Sequence, residues 1–220
     1  MARLDRLAPV KDVAQIGAVI GCEFSHALLA AVAPMSPNLL GDALEQLVAS
    51  ELVFRRGTPP EATYTFKHAL VQDAAYQSLL KSRRQQLHAR IAEALEQRFP
   101  DIDETHPEVL AQHLTDAGLA ERAISYWRRA GELAAARSAN VEAIAHLNKG
   151  LELVGTPSGA PEHLENELAL RLAIGGPLIS LKGHPAPEVE RNYSRAWELC
   201  ARSVDQPSCF PYCADSGTTI

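Results

Sequence analysis

Apolar residues recur along most of the chain at the spacing of a helix. Val10, Val13, Ala14, Ile16, Ala18, Val19 and Ile20 predict a short buried helix over 10–20, ended by Gly21. Phe24 leads into a second helix over 25–32, with Ser25 as its N-cap. Pro34 and Pro37 interrupt the chain, and Ser36 caps a third helix over 37–50. Leu40, Ala43, Leu44, Leu47 and Val48 fall at i, i+3, i+4, i+7 and i+8, which is one helix face.

The period then changes. Leu52, Val53 and Phe54 form a short apolar run, RRGTPPE reads as a tight connection, and ATYTFK alternates as a strand does. These segments predict a hairpin, followed by a helix over 68–80. Three short helices and a hairpin are the outline of a winged-helix domain, expected over residues 1–81.

From Arg83 the helical period returns. QQLHARIAEALEQRF sets Leu87, Ile91, Ala94, Leu95 and Phe99 on one face, and PDIDE reads as an acidic break. HPEVLAQHLTDAG has Pro107 in its first turn and Gly118 just past its end, the favoured asymmetry of a helix. LAERAISYWRRAGELAAARS groups Ile124, Trp127, Ala130, Gly131 and Ala134, and NVEAIAHLNKGLELVG runs from an Asn140 cap to Gly155. HLENELALRLAIGG is a further helix, GGPLISLKGHPAPE a Gly/Pro-rich break, and VERNYSRAWELCAR the last helix.

Ala and Gly at the crossing positions suggest a helical repeat. With Ile124 as position one of the roughly 34-residue tetratricopeptide template, Trp127 takes the Trp site and Gly131 the small crossing site. Ala143, Leu147 and Gly150 then take the small, large and small sites of the second helix. The flanking helices fit less well. The expected fold is therefore mostly α: a winged-helix domain with a small β-hairpin, a tetratricopeptide-like helical array over 82–201, and an irregular tail over 202–220.

Composition narrows the function. The 220 residues carry a net charge of −6, which argues against a nucleic-acid protein held by bulk charge. Four cysteines, Cys22, Cys200, Cys209 and Cys213, are too few and too lopsided for a disulfide scaffold. No apolar run approaches a membrane span, and MARLDRLAPVKDV lacks the apolar stretch of a signal peptide, so the expected place is the cytoplasm, away from any membrane.

The usual catalytic signatures are absent. There is no GxxxxGK[S/T], no GxGxxG and no GxSxG. Cys209 and Cys213 have no nearby histidine to complete a zinc set, so no metal is expected. Lys81, Arg83, Arg84, His88 and Arg90 form a basic stretch that reads as a solvated helix face. Trp127 and Trp197 read as core residues between helices. The third helix, which a DNA-reading winged helix offers to the groove, carries Asp42, Glu45 and then Glu51, and no Lys or Arg. His68, at the start of a helix, is a candidate partner for a phosphate or a carboxylate, the alternative being a histidine that packs or caps locally.

The stretch FKHALVQDAAYQSLLKSRRQQLHARIAEALE, with AQHLTDAG, AISYWRRAGELAAARSAN and EAIAHLNKGLELV after it, resembles a known arrangement. It is similar to the region that follows the nucleotide-binding domain of large bacterial signalling ATPases linked to class III adenylate/guanylate cyclase domains. The resemblance covers residues 4–201. It implies a winged helix that packs on an AAA-type ATPase module and holds its ADP-bound state, followed by repeats that bind a protein partner or the ATPase module itself. Related ATPases carry a Met-His-Asp motif in this domain; here Lys67, His68 and Ala69 stand in its place. Only His68 matches, and the resemblance implies for it the role of an ADP sensor. That role needs the phosphate cradle and Mg²⁺ ligands of an ATPase domain that this chain lacks. No cofactor is expected in this chain, whereas ATP or ADP is expected for an intact parent protein.

The segment SVDQPSCFPYCADSGTTI has no helical period. Codons exist for Pro207 onward that, read from the third base, give QLFPVLRGLWNYY, so a frameshift near Arg202 is one explanation and a functional Cys tail the other. The expected function is a non-catalytic regulatory and protein-interaction fragment of a cyclase-linked signalling ATPase. The alternative is a DNA-binding transcriptional regulator with a winged helix and repeats.

Overall fold

The computed structural model describes residues 7–155 and 161–202. The protein is mostly helical with one small antiparallel sheet, and it divides into two compact units, one ending at Leu119 and the other beginning at Ala120.

The first unit opens with α1 (Leu7–Ile20), β1 (Glu23–Ser25), α2 (His26–Val32) and α3 (Pro37–Ala49). The caps lie where the sequence puts them. The Ser25 hydroxyl accepts from the Leu28 amide at 3.1 Å and the Ser36 hydroxyl from the Leu39 amide, satisfying donors that a helix start leaves without partners. The hairpin is β2 (Val53–Arg56) paired with β3 (Thr63–Phe66). A third strand joins it: β1 pairs with β3 through Phe24↔Tyr64, giving the order β1-β3-β2. The sequence reading has Phe24 only as a lead into α2. Three residues are too short to show a strand period, and the partner lies some forty residues away.

Phe24 is the pivot of this corner. Its ring stacks on Tyr64 and tilts against Phe66, each at 5.7 Å between centroids. It also lies against the backbone of α1 at Gly17, where an added Cβ would sit 2.8 Å from ring carbons. Glycine is the residue that permits this approach.

The unit continues with α4 (Ala69–Gln77), α5 (Lys81–Arg98), α6 (Pro100–Thr105) and α7 (Pro107–Ala117). Helix α5 packs against α1, α2 and α7 through Leu87, Ile91 and Leu95, all buried. The period changes near residue 82, but α5–α7 belong to the same compact unit as the sheet because α5 lies against α1 and α2. PDIDE is part of the short helix α6 rather than a break, with Pro100 in its first turn, where a missing amide costs nothing. Gly118 closes α7 in the left-handed conformation, at φ 80°.

The second unit is α8 (Ala120–Ala136), α9 (Asn140–Val154), α10 (Pro161–Lys182) and α11 (Pro187–Arg202). Each helix packs on the next. Its core holds Ile124, Leu147, Val154, Leu170 and Ile174. Asn140 is the first residue of α9 rather than its cap; Ala139 stands at the N-cap with no side-chain bond.

Helix α10 runs straight through the Gly/Pro-rich segment that reads as a break, with Pro177 inside it. Gly176, directly before the proline, has no Cβ, which eases the clash that usually disfavours a helical residue before Pro. Pro177 is buried, so packing supplies what the lost backbone bond does not. The tail from Ser203 onward, with Cys209, Cys213 and the frameshift reading, lies outside the described residues.

Candidate functional site

His68 is the N-cap residue of α4, in extended conformation at φ −137° and ψ 134°. Its carbonyl accepts from the Val71 amide at 3.0 Å, but its imidazole makes no capping bond and is exposed. Sheet and helix position it together. The Lys67 amide donates to the Leu52 carbonyl at 3.0 Å, tying the end of β3 to the start of β2.

The neighbouring Lys67 ammonium is 2.7 Å from Glu51 Oε2 and 5.5 Å from the centre of the Phe54 ring. The hydrogen bond from Lys67, and then its charge, hold the Glu51 carboxyl below the usual range. Lys67 is thus engaged within the fold, whereas His68 faces outward. Beyond it, Leu70 is 80% exposed, and α4 has no buried residue.

A second feature of this unit is a groove of about 660 Å³ between α1 and α3. Pro9, Val10 and Leu39 form its apolar part, and Asp42, Glu45 and Gln46 its polar part. Among the described residues its lining offers negative charge and no lysine or arginine, the wrong sign for a phosphate backbone. Arg55 and Arg56 are exposed on β2.

The basic stretch around α5 is not one solvated face. Lys81 and Arg83 are exposed, but the Arg84 guanidinium lies over the Tyr76 ring at 5.0 Å. Arg90 donates to the Val32 carbonyl, and His88 is buried. The sequence pattern counts charges; it does not show that α2 and α4 cover this side of α5.

His88 instead belongs to a buried cluster that the sequence reading did not assemble. Its Nδ1 is 2.9 Å from Nδ1 of His113 on α7. Its Nε2 is 3.2 Å from the Tyr76 hydroxyl and 3.9 Å from Asp116 Oδ2. Burial holds both imidazoles below their usual pKa, with His113 at about 4. The separation of 25 residues between the two histidines gives no periodic signal.

In the second unit, the residues aligned with the repeat template are all buried: Trp127, Gly131, Ala143, Leu147 and Gly150. The helix crossings share one device. A Cβ at Gly131 would meet the Leu147 side chain, one at Gly150 would be 2.9 Å from Leu170 Cδ2, and one at Gly175 would be 2.6 Å from Tyr193 Cζ. Trp197 is not a core residue: it is 58% exposed on the outer side of α11. Val189, Asn192, Ala196 and Leu199 form the inner face of that helix, and Trp197 lies off their stripe.

Among the described residues, no group of three or more His, Cys, Asp and Glu is placed to hold a metal ion, and no helix is long and apolar enough to cross a membrane.

No family model matches the chain, and no solved structure matches it. The chain is similar to "Uncharacterized protein R02095" of Rhizobium meliloti (strain 1021), with 30% identity over 213 residues. The match covers 96% of this chain and 21% of that protein, so the chain spans about a fifth of the relative's length.

Proposed function

We propose that this chain is a non-catalytic regulatory and protein-interaction region of a signalling ATPase. In this reading residues 1–81 are a winged helix that controls the nucleotide state of an ATPase domain outside this chain. The helices over 82–201 are a tetratricopeptide-like array that binds a protein partner or that same domain. The match to the Rhizobium protein supports one part of the reading, that such a sequence occurs as a region of a longer protein: nearly the whole chain aligns with a fifth of that protein. Two features support the rest. The first, which carries the ATPase part of the reading, is His68: it is exposed at a helix N-cap without a capping bond, where the resemblance implies the histidine that related ATPases direct at ADP. The buried glycines of the second unit sit where helical repeats need small residues.

ATP or ADP would be held by the intact protein, with His68 reaching the phosphate from the edge of the site. The expected compartment is the cytoplasm. The acidic groove beside α3 disfavours the DNA-binding reading, since a duplex would bring its phosphates against Asp42 and Glu45.

Two measurements test the proposal. Genomic DNA flanking the coding region should hold an in-frame P-loop ATPase upstream; a flanking sequence without one overturns the reading. The purified chain, incubated with ATP and Mg²⁺, should release neither phosphate nor cyclic nucleotide. Turnover that copurifies with the chain would show that it is an enzyme in its own right.

A further inference from the structure

The His88–His113 contact has a protonation rule built into it. Two Nδ1 atoms 2.9 Å apart make a hydrogen bond only when one carries a proton and the other does not. Two neutral imidazoles satisfy this. So does a pair holding one extra proton, because the charged ring still donates to the bare nitrogen of its neighbour. A pair in which both rings are charged does not: two N–H groups then point at each other and two positive charges meet. Both rings are buried, at 4% and 6% exposure, so water cannot take the place of the lost bond without the helices parting.

With Tyr76 the pair joins three helices. His88 is on α5 and His113 on α7, while Tyr76 of α4 holds His88 Nε2 through its hydroxyl. We propose that this cluster is a proton-operated latch: it clamps α7 and α4 onto α5 while a facing nitrogen is bare, and releases α7 when both imidazoles are protonated.

The surrounding charges set how many protons the latch tolerates. Asp116 of α7 favours a proton on His88, and Arg84 of α5 opposes it. Asp116 also favours a proton on His113, but less than burial and the charge of His88 oppose it. Tyr76 is the titratable group from α4. Helices α1, α2 and α6 also pack on α5, and among the described residues none of them supplies a charge acting on either ring. The first proton therefore enters with a carboxylate beside it, and the second enters against a like charge.

The sign follows from linkage. A histidine whose folded pKa lies below its unfolded value binds protons more readily in the open state, so acid favours opening. The closed form is fully favoured above the ordinary 6.5 and loses ground until the pH reaches about 4. Taking His113 alone, the open population should rise about 30-fold between pH 7.5 and pH 5.

Amide hydrogen exchange on the full chain, expressed as protection factors so that the intrinsic pH dependence cancels, reads this directly. Protection in α7 and the facing turns of α5 should fall about 30-fold on going from pH 7.5 to 5, while protection in α9 stays within twofold. His113→Gln keeps a hydrogen-bonding side chain without a titrating group and should flatten the response of α7 to less than threefold. If that variant does not fold, the histidine ring resonances of the unaltered chain decide. Two histidines should titrate below the ordinary 6.5, one of them at about 4, with that lower one tracking the loss of α7 protection. An α7 whose protection is unchanged down to pH 5, or histidines that all titrate near 6.5, overturns the proposal.

Discussion

The approach of α8 to α9 at Gly131 gives a sharp test of what holds the second unit together. Replace Gly131 by Ala. The new Cβ would lie 2.7 Å from Leu147 Cδ2 and 3.0 Å from Cδ1, with Cγ closer still. Leu147 has no exposed surface and cannot swing into solvent. Either α8 and α9 move apart or Leu147 leaves its rotamer, and overpacking of this kind costs about 1–3 kcal/mol. Against this, Ala is the better helix former by about 1 kcal/mol. The net expectation is a loss of about 1 kcal/mol, with the sign decided by sterics over propensity.

Urea unfolding followed by tryptophan emission isolates the effect, because both tryptophans, Trp127 and Trp197, lie in the second unit. A loss of that size moves the midpoint down by roughly 0.5 M. The partner variant completes a cycle. Leu147→Ala alone should cost about 2–5 kcal/mol through the cavity it leaves. In the Gly131→Ala background it should cost at least about 1 kcal/mol less, because the extra methyl then has room. A stabilised Gly131→Ala protein, or a strictly additive cycle, would refute the view that this glycine is there for the approach of α9.

Other expectations follow from the same contacts. Gly41 lies in α3 with nothing within 4 Å of an added Cβ. Gly41→Ala should therefore stabilise the first unit by about 0.5–1 kcal/mol, read as a rise in its melting temperature. His68→Ala should leave thermal stability unchanged within about 0.5 kcal/mol, since the imidazole is exposed and caps nothing; a larger loss would give His68 a structural role. Arg195 holds both oxygens of Glu167 at 2.9 Å, and Arg195→Lys, which cannot keep the fork, should cost on the order of 1 kcal/mol in the same urea assay. The hydrogen bond from Arg195, more than any other contact, lowers the pKa of Glu167. This stabilisation is present above the ordinary carboxyl pKa of 4.5 and fades as the pH falls below it; Glu167→Gln should remove that part of the acid dependence.

Local chemistry was legible in the sequence where a single residue decides it. Ser25 and Ser36 cap their helices, Gly118 turns left-handed, and the alternation of ATYTFK forms a strand. What escaped depends on distance or on compensation. The strand β1 exists only because β3 lies beside it. Pro177 reads as a breaker, yet Gly176 before it and its own burial let the helix continue. His88 counts as one more basic residue until α7 brings His113 to it. The small residues at Gly131 and Gly150 were found from the template, whereas Gly175 was missed because its partner, Tyr193, lies beyond the proline. Of the site, the position of His68 was legible from its place between strand and helix. The neighbouring Lys67, held by Glu51 and Phe54, was not.

Helix α10 can be seen as a beam with one soft section. Pro177 offers no amide to the carbonyl four residues back, at Ala173, so the ladder of backbone bonds lacks a rung there. On its N-terminal side α10 is joined to α9 at Leu170 and to α11 through Glu167 and Arg171. Past the missing rung, residues 178–182 form a short arm that leads into the turn toward α11. Stress applied to that turn would find its first give at the gap, with Leu178, still resting on the core, carrying part of it inward. The array would then yield at a place fixed by its own sequence.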